Sequence, residues 1–251
     1  ASRPAAAEVA AVAALRELCR ETGARVHVVH LASGEALVEV ESARREGLPF
    51  SAETCPHYLA FTGEDLDRLG ALLKTAPVVK GTADREALWA GLASGALQHV
   101  ATDHAAGEWP AEKTTGSIWT DYGGVPGVEL MLPFLFSEGV KKRRITLERL
   151  TELVSSEPAR FFGVGGRKGR LEPGLDADFA VLDADEAWTV VPERLHGLNR
   201  YTPFAGWSFT GRVVATVVRG ETVFELGADG ERFRRPGTGR CVRREERTPG
   251  V

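Results

Sequence analysis

Arg25-Val26-His27-Val28-Val29-His30-Leu31-Ala32-Ser33 is a short, valine-rich run that ends on a helix-capping residue. Its composition predicts a buried strand over residues 26–29. Ser33 is placed to cap a helix over residues 34–45, which Gly47 ends. Upstream, Val9, Val12, Leu15 and Leu18 recur at helical spacing over residues 4–22, and Gly23 supplies a stop. Downstream, a second strand is expected over residues 49–54, then an irregular stretch to Gly81. A helix over 83–92 turns Leu88 and Trp89 inward, and a third strand covers 96–102. Strand and helix alternate over the first 100 residues. That pattern builds βαβ units and a parallel sheet, so the fold class is α/β.

A long polar loop follows from Asp103 to Asp121, of a length that usually carries function. Helices are expected over residues 122–136 and 146–162. Beyond Gly163 the texture becomes all-β, with short strands at 177–183, 188–191, 213–219 and 222–225. The chain therefore divides into an α/β part, residues 1–164, and a β-rich part with its tail, residues 165–251. A complete eight-stranded α/β barrel takes about 250 residues by itself. Three βα units do not close one, so the first part is either a small open α/β domain or the last portion of a larger barrel.

Composition narrows the function classes. The 251 residues are 43% hydrophobic and 26% charged, with formal net charge −4. Basic residues cluster only at 141–144 and 240–247, which read as solvated surface, so neither nucleic acid nor a membrane is indicated. Cys19, Cys55 and Cys241 are odd in number and far apart, which fits no disulfide framework and favours a reducing, cytoplasmic setting. The chain starts at Ala1 rather than Met, which suggests cleavage or truncation.

Three features carry possible chemistry, each at the C-terminal end of an expected strand, where α/β sheets build their sites. His30 closes the first strand and is a candidate metal ligand; the plain alternative is a histidine bonded to backbone. Asp103, in Thr102-Asp103-His104, is a candidate ligand or general base; the alternative is a loop or capping aspartate. His104 is the weaker of the two, because adjacent side chains point apart. Glu53-Thr54-Cys55-Pro56-His57-Tyr58 follows the middle strand. A thiol nucleophile at Cys55 would need a special turn to meet His57, so His57 is read instead as a rim or substrate-pocket residue. One His and one Asp do not complete a hydrolytic metal site, which needs at least three protein ligands.

In order along the chain, these stretches resemble the cyclic amidohydrolases of the allantoinase, dihydropyrimidinase–hydantoinase and dihydroorotase group, above all the allantoinases. The resemblance rests on His27-Val28-Val29-His30-Leu31-Ala32-Ser33, Ala52-Glu53-Thr54-Cys55-Pro56-His57-Tyr58-Leu59 and Ala101-Thr102-Asp103-His104. Lys74-Thr75-Ala76-Pro77, Tyr122-Gly123-Gly124-Val125-Pro126-Gly127, Gly169-Arg170-Leu171-Glu172-Pro173-Gly174 and Tyr201-Thr202-Pro203-Phe204 extend it over nearly the whole chain. His30 and Asp103 stand 73 positions apart, much as in that family.

The resemblance implies a (β/α)8 barrel of TIM type, of which this chain holds strands six to eight, followed by a small β-sandwich segment. It implies a metal-dependent hydrolase that opens the C–N bond of a cyclic amide or ureide with a metal-bridging hydroxide. Two divalent metal ions of zinc type are the implied cofactor. His30 would ligate one; Asp103 would ligate the other and act as general base. His57 and the backbone near Ala76 and Gly124 would face the substrate. The family's strand-one His-x-His pair, carboxylated lysine and strand-five histidine find no counterpart in these 251 residues. A missing N-terminal half of the barrel is thus an implied partner, in a parent of about 450 residues, and a homo-oligomer is expected. Ala76-Pro77-Val78-Val79-Lys80 stands where the dihydroorotase pattern has Asn-Pro-Pro-Leu-Arg, which favours an allantoin- or hydantoin-like ring over a carboxylate-bearing one. The competing reading is a non-catalytic scaffold or inactive fragment of the same fold.

Overall fold

The computed structural model describes residues 3–234 and 237–244. Ala1, Ser2 and the end of the basic tail fall outside the described residues. Helix α1 (Ala5–Thr22) stops where Gly23 takes a left-handed conformation, φ 67°, and donates its N–H to the Cys19 carbonyl. Strand β1 (Val26–Val28) follows, then helix α2 (Gly34–Arg45), whose first turn is capped by the Ser33 hydroxyl accepting from the Ala36 N–H. Strand β2 (Phe50–Thr54) pairs in parallel with β1, with Val26 opposite Phe50.

The stretch expected to be irregular holds two short helices, α3 (Pro56–Ala60) and α4 (Gly63–Leu69). Their signals are local and easily missed. Pro56 sits in the first turn of α3, and Thr62 and Asp65 form a capping box for α4. Helix α5 (Thr82–Ser94) leads to β3 (His99–Val100), which pairs in parallel with β2. The sheet order is β1-β2-β3. Helices α2 and α5 approach closely because Gly91 leaves room: a Cβ there would lie 2.5 Å from Leu37 Cδ2. Val40 on α2, Leu88 and Leu92 on α5, and Leu97 just before β3 are all fully buried. Among the described residues no strand pairs with the outer edge of β1.

The long loop is ordered around Lys113, which is only 1% exposed. Its ammonium donates to the carbonyls of Ala71 (2.9 Å) and Gly124 (2.6 Å) and lies over the Tyr201 ring. Burial, with help from Lys74 and against the pull of Asp121, lowers its pKa to about 8. Between pH 8 and the unfolded value near 10.5, the unfolded chain binds more protons, so stability should rise with pH across that window. The gain should reach about 3 kcal/mol at most. Urea midpoints taken from pH 7 to 11 should show this slope, and Lys113→Met should remove it.

Residues 122–130 are not helical, contrary to the sequence expectation. Gly123, Gly124, Pro126 and Gly127 disfavour a helix, and the Gly124 N–H is committed to the Lys74 carbonyl at 2.9 Å. Helix α6 (Met131–Phe134) starts only after them and continues as a π-helical turn over Leu135–Lys141. Helices α7 (Leu147–Thr151) and α8 (Glu157–Phe161) are joined by a second π turn, Glu152–Ser156. Pro158 lacks an N–H and crowds the carbonyl four residues back, and the wider turn directly before it accommodates both.

The C-terminal part is a four-stranded antiparallel sheet in sequential order: β4 (Phe179–Thr189), β5 (Ser208–Val218), β6 (Glu221–Gly227) and β7 (Gly230–Phe233). The two short strands expected at 177–183 and 188–191 are one long strand, with irregular register between Asp183 and Ala187. β7 carries no apolar alternation and went unpredicted. An aromatic cluster of Phe61, Phe134, Phe204, Trp207 and Phe209 joins the two parts. Among the described residues no helix is long and apolar enough to cross a membrane.

Candidate active site

His30 and Asp103 occupy equivalent places, just past the C-terminal ends of β1 and β3. Each backbone leaves its strand in the left-handed region, with φ 44° at His30 and 46° at Asp103. Non-glycine residues adopt this conformation at a cost of about 1–2 kcal/mol, and it concentrates where geometry serves function. Neighbouring hydrogen bonds hold both turns. The Leu31 N–H donates to the Glu53 carbonyl (2.8 Å), the Thr54 hydroxyl to the Leu31 carbonyl (2.7 Å), and the Ala101 N–H to the Thr54 carbonyl (3.0 Å). The central strand thus fixes the flanking turns from both sides.

Cys55, His57 and Asp103 place one ligand atom each within 4.8 Å of one another. His57 is buried, 2% exposed, rather than at a rim as the sequence suggested. Its Nε2 and the Nδ1 of His30 are buried without a hydrogen-bond partner. Burial first, and then the proximity of His30, lower the His57 pKa to about 3, so its imidazole is neutral and free to donate a lone pair. Burial raises the Asp103 pKa; His30 pulls it down and Glu53 pushes it up. A raised carboxylate suits proton transfer better than an unshifted one. The Cys55 thiol is pushed well up, by burial first and then by Asp103 and Glu53. A thiol held protonated is a poor nucleophile, which argues against Cys55 in that role. His30 lies outside the set that converges on Asp103, and the neutral His57 imidazole with the Asp103 carboxylate fits a divalent metal as partner.

Other sequence candidates separate into different roles. His104 accepts from the N–H groups of Gly127 (3.1 Å) and Val128 (3.3 Å), and so pins the glycine-rich turn. Ala76 is exposed. Gly124 is buried, and its carbonyl accepts from Lys113. A Cβ at Gly124 would lie 2.4 Å from the Ala105 carbonyl oxygen, a backbone atom that cannot move aside cheaply. Gly124→Ala is expected to cost about 2 kcal/mol or more, read as a lowered urea midpoint. A second group, His27, Glu53 and His99, was not singled out from sequence, although period-two alternation along β2 puts residues 51, 53 and 55 on one face.

Comparison with known proteins gives this geometry a family. A profile of the Amidohydrolase family matches residues 2–223. Allantoinase of Rubrobacter xylanophilus is 41% identical over 227 residues, which cover 90% of this chain and 50% of that protein. Allantoinase of Streptomyces avermitilis is 40% identical over 245 residues, covering 98% and 53%. Among solved structures, L-hydantoinase (dihydropyrimidinase) from Arthrobacter aurescens superposes with TM-score 0.84 at 34% identity, over 88% of this chain and 49% of that one. D-hydantoinase from a Bacillus sp. AR9 gives TM-score 0.86 at 32% identity, over 88% and 50%. The chain spans about half the length of the relatives it matches. By profile, sequence and fold, the chain belongs to the amidohydrolase family, in the group that holds the allantoinases and hydantoinases.

Proposed function

We propose that this chain is the C-terminal portion of a (β/α)8 cyclic amidohydrolase and carries part of its active site. Residues 1–164 belong to the barrel and residues 165–251 to the β-sandwich segment and tail. The reaction is hydrolysis of a ring C–N bond in a small cyclic amide or ureide, of the allantoin or hydantoin type that names the relatives. The observation that carries this reading is the placing of His30 and Asp103 just past the ends of β1 and β3, on either side of β2 and both on left-handed backbone, with partnerless imidazole nitrogens on His30 and His57.

Two divalent ions of zinc type, when bound, polarise the ring carbonyl and make water nucleophilic near neutral pH. His30 would hold one through its imidazole, and Asp103 would hold the other. Asp103 also takes the proton released as water attacks the carbonyl carbon. It returns that proton to the ring nitrogen as the C–N bond breaks, so the leaving group departs neutral. His57, uncharged and buried, faces the substrate side together with the backbone at Ala76, whereas the N–H and carbonyl of Gly124 are taken by Lys74 and Lys113. The remaining ligands come from outside these 251 residues, in an N-terminal half that also pairs with the free edge of β1. The assembled protein is a cytoplasmic homo-oligomer, in keeping with three unpaired cysteines.

The test is ring opening of allantoin, hydantoin, dihydropyrimidine and dihydroorotate by the protein that carries this sequence, after chelation and again after zinc addition. Turnover lost with chelator and regained with zinc is expected. A zinc-loaded, folded protein that opens none of the four rings would make it a scaffold of the amidohydrolase fold.

A further inference from the structure

The face of the sheet that bears Glu53 holds a second cluster, displaced from the His30–Asp103 turns toward the N-terminal ends of the strands. His27 is the middle residue of β1, and His99 opens β3 beside Glu53. Glu53 Oε2 lies 2.8 Å from His99 Nε2 and 3.3 Å from His27 Nε2. The two imidazole rings stack, with centroids 4.9 Å apart and 15° between planes, and both rest on Phe161. The side chains of His27, Glu53 and His99 are 14%, 11% and 1% exposed.

Hydrogen bonding defines what the cluster lacks. The Ser51 hydroxyl donates to the Val26 carbonyl (3.3 Å), so its oxygen is left to accept from His27 Nδ1–H at 2.8 Å. That assignment leaves a lone pair on His27 Nε2, facing a carboxylate oxygen that also has only lone pairs to offer. His27 Nε2 and both ring nitrogens of His99 are buried without a hydrogen-bond partner among the described residues. The 2.8 Å contact to Glu53 is thus short enough for a hydrogen bond but not aligned as one. A lone pair aimed at a carboxylate calls for a cation between them.

The geometry points to a divalent transition-metal site formed by His27, Glu53 and His99, separate from the set that ends on Asp103. Two imidazoles and one carboxylate suit Zn²⁺ or Co²⁺, with a fourth position open. Metal bonds of about 2.0–2.1 Å at tetrahedral angles separate neighbouring ligand atoms by roughly 3.3–3.4 Å. The observed 2.8 and 3.3 Å are within a few tenths of that, so small rotations would seat an ion. Ser51 supplies the outer hydrogen bond that fixes the tautomer of a metal-binding histidine. In this chain by itself the cluster opens on a cleft of about 780 Å³ lined by His27, Ser51, Gln98, His99, Arg160 and Phe161. This site stands independently of the hydrolytic reading.

The test is Co²⁺ binding to the chain, followed by visible absorption and elemental analysis. The double variant His30→Asn with Asp103→Asn removes the other set. In that background about one Co²⁺ per chain is expected, with the d–d bands of a nitrogen- and oxygen-ligated ion. Adding His99→Phe, which keeps the ring stack, should abolish binding. Adding Ser51→Ala should weaken it by about 10-fold or more. A folded double variant that binds no cobalt, or binding that survives His99→Phe, would overturn the site and leave a proton-held His–Glu cluster. Should the variants fail to fold, copper and ascorbate applied to the unmutated chain give the same decision. Oxidation mapped by tandem mass spectrometry should fall on both His27 and His99, and its absence from both would equally refute the site.

Discussion

Asp103→Asn should lower kcat for ring hydrolysis by about 10³-fold while KM for the cyclic amide changes little. The substitution keeps the size of the side chain and leaves an oxygen that can still contact a metal. It removes the group that takes a proton from attacking water and delivers it to the ring nitrogen. Because the lost interaction is made only as the bond breaks, the effect should fall on kcat. The base is active only when ionised, so kcat should fall as pH drops through its titration. The variant should lose that acid limb. Steady-state kinetics of the zinc-loaded protein from pH 4 to 9 measure both. An Asp103→Asn protein with unreduced kcat would remove Asp103 from the chemistry.

Glu53→Gln should be the most destabilising of the single substitutions considered, at about 3 kcal/mol for the metal-free chain at pH 7. Burial opposes the charge on Glu53, yet His27 and His99 outweigh it and lower its pKa to about 2. A glutamine fills the same space but supplies no charge, and it turns an amide toward the two buried imidazole nitrogens that the carboxylate oxygen faces at 2.8 and 3.3 Å. The sign follows from linkage. A folded-state pKa below the unfolded value near 4.5 contributes stability that is complete above pH 4.5 and disappears as pH falls toward about 2. Wild-type urea midpoints should therefore drop through that window, and those of Glu53→Gln should be flatter there. Equal stability of the two proteins at pH 7 would show that the carboxylate is not what holds the two histidines.

Much of the α/β part was legible because its signals are local. The valine run at 26–29, Ser33 as cap, Gly23 as stop and the helical stripe of α1 each act within a few residues, and the structure has those elements nearly where the pattern predicts them. The ordered motifs around His30, Cys55-Pro56-His57 and Asp103 identified the family, because chemistry ties residue types to strand ends. Other features depend on partners far along the chain. Residues 122–130 stay out of a helix partly because Lys74 takes the Gly124 N–H, 50 positions away. Lys113 reads as an ordinary loop lysine until Ala71, Gly124 and Tyr201 close around it. The left-handed turns at His30 and Asp103 are paid for by hydrogen bonds from the central strand, which no pattern in either segment announces.

By itself, then, the sequence determined the alternation of strand and helix, the β-rich C-terminal part, and the placing of one histidine and one aspartate at strand ends. Propensity, capping and period-two or 3.6-residue patterning are short-range, and they act before the chain is packed. Only the tertiary structure decided that His57 is buried and uncharged, and that His27, Glu53 and His99 meet on one face. Burial and charge pairing are sums over neighbours from three different strands, and parallel strands become neighbours only when the helices between them fold back on the sheet.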